Sequence, residues 1–491
     1  MNQAVRRLAV ALFVAFGVLV GAATYHQAVA GPEYRDDPRN ARLAAGRTGR
    51  ERGGIVVSDG TVVARSVADP NDSRVFRRDY AEGALYSHVV GYSSLLFGDT
   101  GIEAAWASDL GSGRNSTLSG LLIALTGGDV RPKGLRLTIN HELQTTAAAA
   151  LGDQRGAVVV VDAATGAILT MVASPRYDPN TLLGSGASQA GALLESDPSQ
   201  PLLNRALNQS YPPGSVFKVI TAAAALESGL AGPGTEFADP IALELPGSTA
   251  TIRNFNRGTC GDGTSVTLEV AFVRSCNTVF GELGLLLGAA QLVEQAEAFG
   301  LNRAIPFDLE VLDSRIPPAE EFVNNEAGLA QTALGQRDVQ VTPIQMALVA
   351  AAVANRGEIM TPYLVSEVVN AEGEVVSETE PARWRRVMSP ATADVLAELM
   401  ERVVTSGTGT NAAVPGVRIA GKTGTAEIPD RAPHSWFIGF GPVQPEEGTS
   451  TIAFAIVVES GGTVGDEATG GSVAAPIAAQ LMATWMAQQG G

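Results

Sequence analysis

The stretch YPPGSVFKVITAAAAL, residues 211–226, carries the strongest structural signal in this chain. Its prolines and glycine predict a turn that a helix does not cross easily, and the apolar run after them is typical of a helix. Ser215 is therefore expected to begin a helix, with Lys218 one turn later on the same face. The apolar neighbours of Lys218 disfavour its charged form, so its amine is a candidate base for the Ser215 hydroxyl. A serine N-cap followed by a lysine that reaches solvent is the alternative.

Lysine is rare in this chain, because only three of its 34 basic residues are lysines. A desolvated ammonium can lose its proton, whereas a guanidinium in practice cannot. Two of the three lysines lie in motifs: Lys218 in SVFK, residues 215–218, and Lys422 in KTGT, residues 422–425. The sparing use of lysine indicates a chemical reason for these two.

A third motif, SCN at residues 275–277, lies between the two lysine motifs. It follows an amphipathic stretch and precedes another, which predicts a turn between two helices; the triplet alone would be an ordinary polar turn. The Lys422 motif lies in the first of three predicted strands, residues 417–427, 436–440 and 452–458. Gly424 is expected to let a substrate backbone lie along this strand, and Thr425 to pair with it.

These three motifs, in this order, resemble the active-site set of penicillin-binding proteins and class A β-lactamases. From about residue 135 onward the chain is similar to the transpeptidase domain of class B penicillin-binding proteins, the bacterial enzymes that crosslink peptidoglycan. Further similar segments are residues 156–174, 334–336, 342–347 and 407–409. Residues 52–55 and 98–103 resemble the N-terminal module of the family, and this short module is similar to that of actinobacterial members.

The resemblance implies an α+β fold, namely a penicillin-binding/β-lactamase-like transpeptidase domain with an antiparallel five-stranded sheet flanked by helices. A small β-rich pedestal domain and an N-terminal transmembrane helix are expected to precede it. The expected division is residues 1–30 for the cytoplasmic tip and anchor, 31–134 for the non-catalytic pedestal, and 135–491 for the transpeptidase domain.

The resemblance also implies roles for five catalytic residues. Ser215 would attack the carbonyl between two terminal D-alanines, and Lys218 would accept its proton. Ser275 and Lys422 would relay a proton to the leaving amine, while Asn277 would hold Lys218 and the substrate amide.

Three residues of the last motif are expected to bind the substrate, namely Thr423, Gly424 and Thr425. The backbone N–H groups of Ser215 and Thr425 would form an oxyanion hole, a feature typically worth about 3 kcal/mol per donor.

The implied function is that of a serine D,D-transpeptidase which is acylated by β-lactams and takes part in cell-wall synthesis, in cell shape or cell division. Three alternatives remain open at this stage. A D,D-carboxypeptidase shares the chemistry and differs in its acceptor, and a β-lactamase would need a dedicated water-activating group. A non-catalytic penicillin-binding sensor or scaffold is the third.

Composition limits the partners. A net charge of −17 argues against nucleic acid and against general adhesion to anionic lipid. The four histidines are scattered without metal-ligand spacing, so no metal and no cofactor are expected. The expected partners are peptidoglycan stem peptides (a D-Ala-D-Ala donor and an amine acceptor), β-lactam antibiotics, the membrane, and other cell-wall synthesis or division proteins.

The start of the chain predicts residence at the cell membrane. Arg6 and Arg7 precede an apolar run from Leu8 to Thr24, which predicts a single-pass anchor with the catalytic part on the extracytoplasmic side. A cleaved signal peptide is the alternative, because residues 28–30 fit a small-residue cleavage site.

Cys260 and Cys276 are the only two cysteines, and an extracytoplasmic location permits their oxidation. A disulfide between them would hold the turn that presents Ser275 and Asn277. The alternative is two free thiols, with Cys276 as a small buried residue.

Overall fold

The computed structural model describes residues 3–26, 51–111 except 71 and 74, and 131–489 except 447. It begins with helix α1 (Gln3–Thr24). Within it, Val5–Thr24 is long and apolar enough to cross a membrane, with a mean hydropathy of 2.0, and none of it is buried against the rest of the protein. This helix fits the single-pass anchor expected from the sequence. The alternative cleavage site at residues 28–30 lies outside the described residues.

The N-terminal region forms a β-rich unit with short helices. Its strands are β1 (Ile55–Val56), β2 (Val62–Ala68), β3 (Phe76–Asp79), β4 (Ser93–Ser94), β5 (Gly98–Asp99) and β6 (Gly134–Leu137). Its helices are α2 (Gly83–Val90), α3 (Gly101–Ala105) and α4 (Ala107–Leu110).

A buried ion cluster joins these elements. The Glu103 carboxylate, which has no exposed surface, accepts hydrogen bonds from Arg52 Nε at 2.9 Å, Arg78 Nε at 2.5 Å and the Tyr80 hydroxyl at 3.2 Å. A buried carboxylate requires such partners because an unpaired charge in the interior is strongly destabilising. The cluster therefore holds α3 against β3.

The remainder of the chain contributes the other helices and strands. The helices are α5 (His141–Leu151), α6 (Ala187–Ser196), α7 (Lys218–Glu227), α8 (Leu268–Val273), α9 (Asn277–Ala298), α10 (Glu326–Thr332), α11 (Pro343–Ala354), α12 (Pro390–Ser406) and α13 (Ala475–Gln489). The strands are β7 (Gly156–Asp162), β8 (Ile168–Ser174), β9 (Glu236–Ala238), β10 (Ala242–Glu244), β11 (Thr251–Arg253), β12 (Ser265–Thr267), β13 (Glu358–Met360), β14 (Val365–Val369), β15 (Val375–Glu378), β16 (Arg383–Arg386), β17 (Ala420–Ile428), β18 (Arg431–Gly441) and β19 (Ile452–Val458).

The central sheet has the strand order β17-β18-β19-β7-β8, with every neighbouring pair antiparallel. This confirms the predicted five-stranded sheet. Alternate residues of β7 belong to two cores: Val159 packs in the core that contains Ile344 of α11, and Val158 in the core that contains Leu143 of α5 and Leu481 of α13. Because helices cover both faces, β7 and β19 are buried and apolar along nearly their whole length.

A second sheet joins the N-terminal unit to the rest of the chain. Its order is β15-β14-β6-β1-β2-β3, in which β6 pairs with β1 in parallel and with β14 antiparallel. Strands β14 and β15 come from the second half of the chain, and no local sequence pattern predicts this pairing. The division at residue 134 stays a prediction, and the sheet crosses it with continuous backbone hydrogen bonding.

Candidate active site

Ser215 lies in a 3₁₀ turn, Gly214–Phe217, and α7 begins only at Lys218. The helix was expected to begin at the serine, and its α-helical part begins three residues later. The Lys218 N–H, which directly follows the turn, donates to the Ser215 carbonyl in a bond of the 3₁₀ type, so Ser215 and Lys218 still share one side. Gly214 has a φ of +53°, and a Cβ there would come within 2.8 Å of the Thr425 carbonyl oxygen. The turn therefore requires glycine in order to approach β17.

The Lys218 side chain is completely buried. Its Nζ donates hydrogen bonds to the Ser275 carbonyl oxygen at 2.8 Å and to Asn277 Oδ1 at 2.7 Å, and it lies 3.4 Å from Ser275 Oγ. The Phe280 ring centroid is 5.4 Å away. Burial, and secondarily the charge of Lys422, hold the pKa of Lys218 well below its usual value.

The Lys422 side chain is also completely buried and approaches Ser275 from β17. Its Nζ donates to Ser275 Oγ at 2.8 Å and to the Thr423 carbonyl oxygen at 3.2 Å. Burial lowers the pKa of Lys422 to about 7. The structure thus brings all three motifs together, with Ser275 between the two lysines.

The backbone of Ser275 has a left-handed conformation, with a φ of +62°. Its N–H donates to the Phe272 carbonyl at 3.1 Å, and the N–H of Cys276 donates to the Ala271 carbonyl at 2.8 Å. These two bonds form a Schellman motif that ends α8 with serine at the position glycine usually occupies. A non-glycine residue there is strained, and such strain concentrates at functional sites.

Asn277 is held at three points. Its Oδ1 accepts from Lys218, its Nδ2 donates to the Arg253 carbonyl at 2.9 Å, and its backbone N–H donates to Asn254 Oδ1 at 2.8 Å. Asn254 was not predicted from the sequence, because it lies 23 residues earlier and belongs to no motif. It lies among other polar residues just after a short strand, so nothing in the sequence distinguishes it.

Cys260 and Cys276 form a disulfide with their Cα atoms 6.0 Å apart. The loop that carries Cys260 is itself anchored, since the Asp239 carboxylate accepts hydrogen bonds from the N–H groups of Cys260, Gly261 and Gly263 at 2.7, 2.6 and 3.0 Å. The turn that carries the SCN motif is therefore covalently tied to a loop whose backbone Asp239 holds in place.

The Lys422 motif lies on β17, the terminal strand of the central sheet. A Cβ on Gly424 would come within 3.0 Å of the Pro213 carbonyl oxygen and 2.9 Å of Val216 Cγ1. A substrate backbone was expected in this space, but the turn that carries Ser215 occupies it. The edge of β17 away from β18 pairs with no strand of the described residues, so a substrate backbone can still add along it.

Thr423 and Thr425 occupy alternate positions of β17, opposite Phe437 and Ser435 of β18. The Thr423 hydroxyl lies 2.5 Å from the hydroxyl of Thr408, a residue for which no site role was predicted. Thr425 is half-buried and lies next to Gly214, as the close approach of its carbonyl oxygen shows.

A network of polar side chains holds the segment that leads into the Ser215 turn. The Glu459 carboxylate accepts hydrogen bonds from Arg205 Nε and the Tyr211 hydroxyl, each at 2.8 Å, and forms an ion pair with Arg155 Nε at 2.8 Å. His434 lies inside β18, where its Nδ1 accepts from the Ser460 N–H at 3.0 Å and burial lowers its pKa to about 4. These contacts fix the residues that precede Ser215.

No cluster of three or more histidine, cysteine, aspartate or glutamate side chains suited to a metal ion occurs in the described ranges. The site brings together a serine hydroxyl, two buried amines, one carboxamide and a strand edge.

Two family models match the chain. The penicillin binding protein transpeptidase domain matches residues 156–483, and the penicillin binding protein A dimerisation domain matches residues 52–134. Among curated proteins, the chain is 41% identical to the peptidoglycan D,D-transpeptidase PbpA of Mycolicibacterium smegmatis and 39% identical to that of Mycobacterium tuberculosis. Each alignment covers 97% of this chain and 97% of the relative.

Solved structures give the same relationship. The ceftriaxone acyl-enzyme complex of penicillin-binding protein A from M. tuberculosis has a TM-score of 0.82 and 38% identity, covering 89% of this chain and 99% of that one. The penicillin G acyl-enzyme complex of the same protein has a TM-score of 0.80 and 39% identity, covering 89% of this chain and all of that one.

Proposed function

The chain belongs to the class B penicillin-binding proteins, and we propose that it is a peptidoglycan D,D-transpeptidase that works through an acyl ester on Ser215. The observation that carries this proposal is the position of Ser275, whose Oγ lies within 3.4 Å of the amines of both Lys218 and Lys422. Lys218 directly follows the turn that contains Ser215. Buried amines with lowered pKa values can accept and donate protons near neutral pH, which acyl transfer requires.

The first step is the activation of Ser215. A neutral Lys218 has two N–H bonds, and the carbonyl of Ser275 and Oδ1 of Asn277 accept both. Its lone pair is then left to take the Ser215 proton as Oγ forms a bond to the substrate carbonyl carbon. Lys218 shares one side of the 3₁₀ turn with Ser215, which brings base and nucleophile together.

The developing oxyanion needs hydrogen-bond donors. Ser215 is the second residue of a helical turn, where backbone N–H groups have no partner within the turn. Thr425 lies directly beside this turn. We assign the N–H groups of these two residues as the oxyanion hole, and the Thr423 hydroxyl and the free edge of β17 as the substrate-binding strand.

Collapse of the tetrahedral intermediate breaks the amide bond, and the departing D-alanine amine takes a proton that Ser275 relays from Lys422 or Lys218. The amine of a second stem peptide then attacks the Ser215 ester and loses one proton. The new amide crosslinks two stems, and the Ser215 hydroxyl is restored. A β-lactam would acylate the same Ser215 hydroxyl, because its strained amide imitates the scissile bond.

The N-terminal helix would hold this chemistry at the membrane. Arg6 and Arg7 at its start favour a cytoplasmic N-terminus and an extracytoplasmic catalytic domain. We also propose other proteins of cell-wall synthesis or cell division as partners, since crosslinking must follow the supply of new glycan.

One assay separates this function from its alternatives. Purified full-length protein is incubated first with a fluorescent penicillin and then with a D-Ala-D-Ala donor peptide and an amine acceptor, with Ser215→Ala as control. Stable labelling with crosslinked product supports the transpeptidase, whereas hydrolysed donor without crosslinked product indicates a carboxypeptidase. Rapid release of hydrolysed drug indicates a β-lactamase, and stable labelling without turnover of the peptide indicates a sensor.

A further inference from the structure

Helix α9, which begins with the catalytic Asn277, lacks a cap of its own. Its N-cap residue is Cys276, whose side chain accepts no hydrogen bond and whose sulfur is in the disulfide. The first N–H groups of a helix need acceptors from outside the helix. Asn254 Oδ1 supplies this acceptor, at 2.8 Å from the Asn277 N–H and 3.2 Å from the Thr278 N–H. The cap therefore comes from a separate segment of the chain.

The orientation of the Asn254 side chain is fixed by its other contact. Its Nδ2 donates to the Gly258 carbonyl at 3.0 Å, which turns Oδ1 toward the helix, and the residue is 5% exposed. A carbonyl oxygen only accepts hydrogen bonds, so this contact leaves one orientation of the amide. Asn254 is thus built into the end of β11 rather than free to rotate.

Arg253 and Asn254, two consecutive residues at the end of β11, bind both the side chain and the backbone of Asn277. Asn254 binds its backbone N–H, while the Arg253 carbonyl accepts from its Nδ2. The second contact leaves Oδ1 as the atom that faces Lys218, where it accepts at 2.7 Å. The strand end therefore determines which Asn277 atom the buried lysine meets.

We propose that Asn254 is a positioning residue for acylation: by capping α9 it holds Asn277 and, through Asn277, the Lys218 amine that accepts the Ser215 proton. This inference rests on the proposed function, because it concerns the same reaction. Loss of the cap would free the first turn of α9, so that Asn277 no longer fixes Lys218. A misplacement of about 1 Å in a reacting group can cost about 100-fold in rate.

The test compares Asn254→Ala with Asn254→Asp, which keeps the acceptor oxygen. Stopped-flow acylation with a fluorescent penicillin separates the acylation rate constant from the Kd of the non-covalent complex, across a range of pH. In Asn254→Ala we expect the rate constant to fall about 10- to 100-fold with an unchanged Kd. The acid limb of its pH profile should move to higher pH, because water that reaches Lys218 stabilises the ammonium and raises the pKa of this lysine. Lys422 is the charged group that acts on Lys218. Asn254→Asp keeps the acceptor for the two N–H groups, but it loses the donor to the Gly258 carbonyl and adds a buried negative charge. We therefore expect it to recover most of the rate constant at high pH, while its acid limb stays at higher pH than in the wild type.

Asn140→Ala is the matched control, since Asn140 caps α5 through the Leu143 N–H, away from the two lysines. It should lower the melting temperature without moving the pH profile. The proposal is overturned if folded Asn254→Asp is as slow as the alanine variant, or if Asn254→Ala keeps the wild-type rate or the wild-type pH midpoint. Failure of the wild-type protein itself to acylate would instead contradict the proposed function.

Discussion

The Nζ atom of Lys422 donates a 2.8 Å hydrogen bond to Oγ of Ser275, and this contact joins two motifs that lie 147 residues apart in the chain. Ser275 has a strained left-handed backbone at this point. The molecule thus places a hydroxyl where the two lysines need it, at a position where glycine would be more stable. Stability and activity should therefore respond in opposite directions to substitution at this residue.

Ser275→Gly and Ser275→Ala both remove the hydroxyl, but only the glycine variant relieves the left-handed strain. We expect Ser275→Gly to be more stable than Ser275→Ala by about 1 kcal/mol. Acylation by penicillin should fall in both variants by about 10²- to 10⁴-fold. Denaturant unfolding and penicillin labelling measure the two effects. Equal stability of the variants would contradict the strain, and wild-type labelling of either one would contradict the relay.

Lys218→Arg keeps a positive charge but cannot supply a neutral amine, because guanidinium stays protonated. We expect penicillin acylation to fall by about 10²- to 10⁴-fold, the usual contribution of a general base. Thermal melting checks that the variant is folded. A folded arginine variant that reacts within about tenfold of the wild type would mean that Lys218 acts only as a fixed charge.

Lys422→Met tests the lowered pKa of Lys422 through the pH dependence of stability. The pKa of this lysine is about 7 in the folded protein and about 10.4 when unfolded. Between pH 7 and about pH 10.4 the unfolded state binds more protons than the folded state does. The free energy of unfolding of the wild type therefore rises by up to about 1.4 kcal/mol per pH unit in this range.

Below pH 7 the wild type carries the full cost of burying the Lys422 ammonium. The stability of Lys422→Met relative to the wild type should therefore be greatest there and should decrease as pH rises from 7 toward 10. Unfolding in denaturant at several pH values measures this difference. A difference that is constant with pH would mean that the pKa of Lys422 is not lowered.

Reduction of the Cys260–Cys276 disulfide should release the turn that presents Ser275. The chain-entropy argument gives a loss of about 3 kcal/mol in unfolding free energy for a loop of this size. We also expect the acylation rate constant to fall more than the affinity for penicillin does. A variant with both cysteines replaced by alanine controls for the reductant and should not respond to it. Unchanged acylation after complete reduction, verified by thiol titration, would show that the disulfide does not support the site.

The catalytic motifs were predictable because each one combines local chemistry with a local structural signal. Short stretches of sequence contain each of these signals: the turn before Ser215, the spacing to Lys218 and the apolar strands around Lys422. The five-stranded sheet followed from the same strands and from the resemblance to known transpeptidases.

The contacts that support the site were not predictable, because they depend on which distant segments meet. Gly424 makes room for the Ser215 turn, and only the packing of the two segments reveals it. Asn254 reaches a helix end 23 residues away without any motif, and Thr408 reaches Thr423 across 15 residues. The pairing of β6 with β14 is likewise a long-range choice that no local propensity records.

The central claim is that Ser215 forms the acyl ester. Its most direct test is peptide mapping by mass spectrometry after reaction of the full-length protein with penicillin G, in parallel with a folded Ser215→Ala variant. We predict one penicilloyl group on the wild type, located on the peptide that contains Ser215, and none on the variant. An adduct on a different residue, or labelling of Ser215→Ala at the wild-type rate, would contradict it.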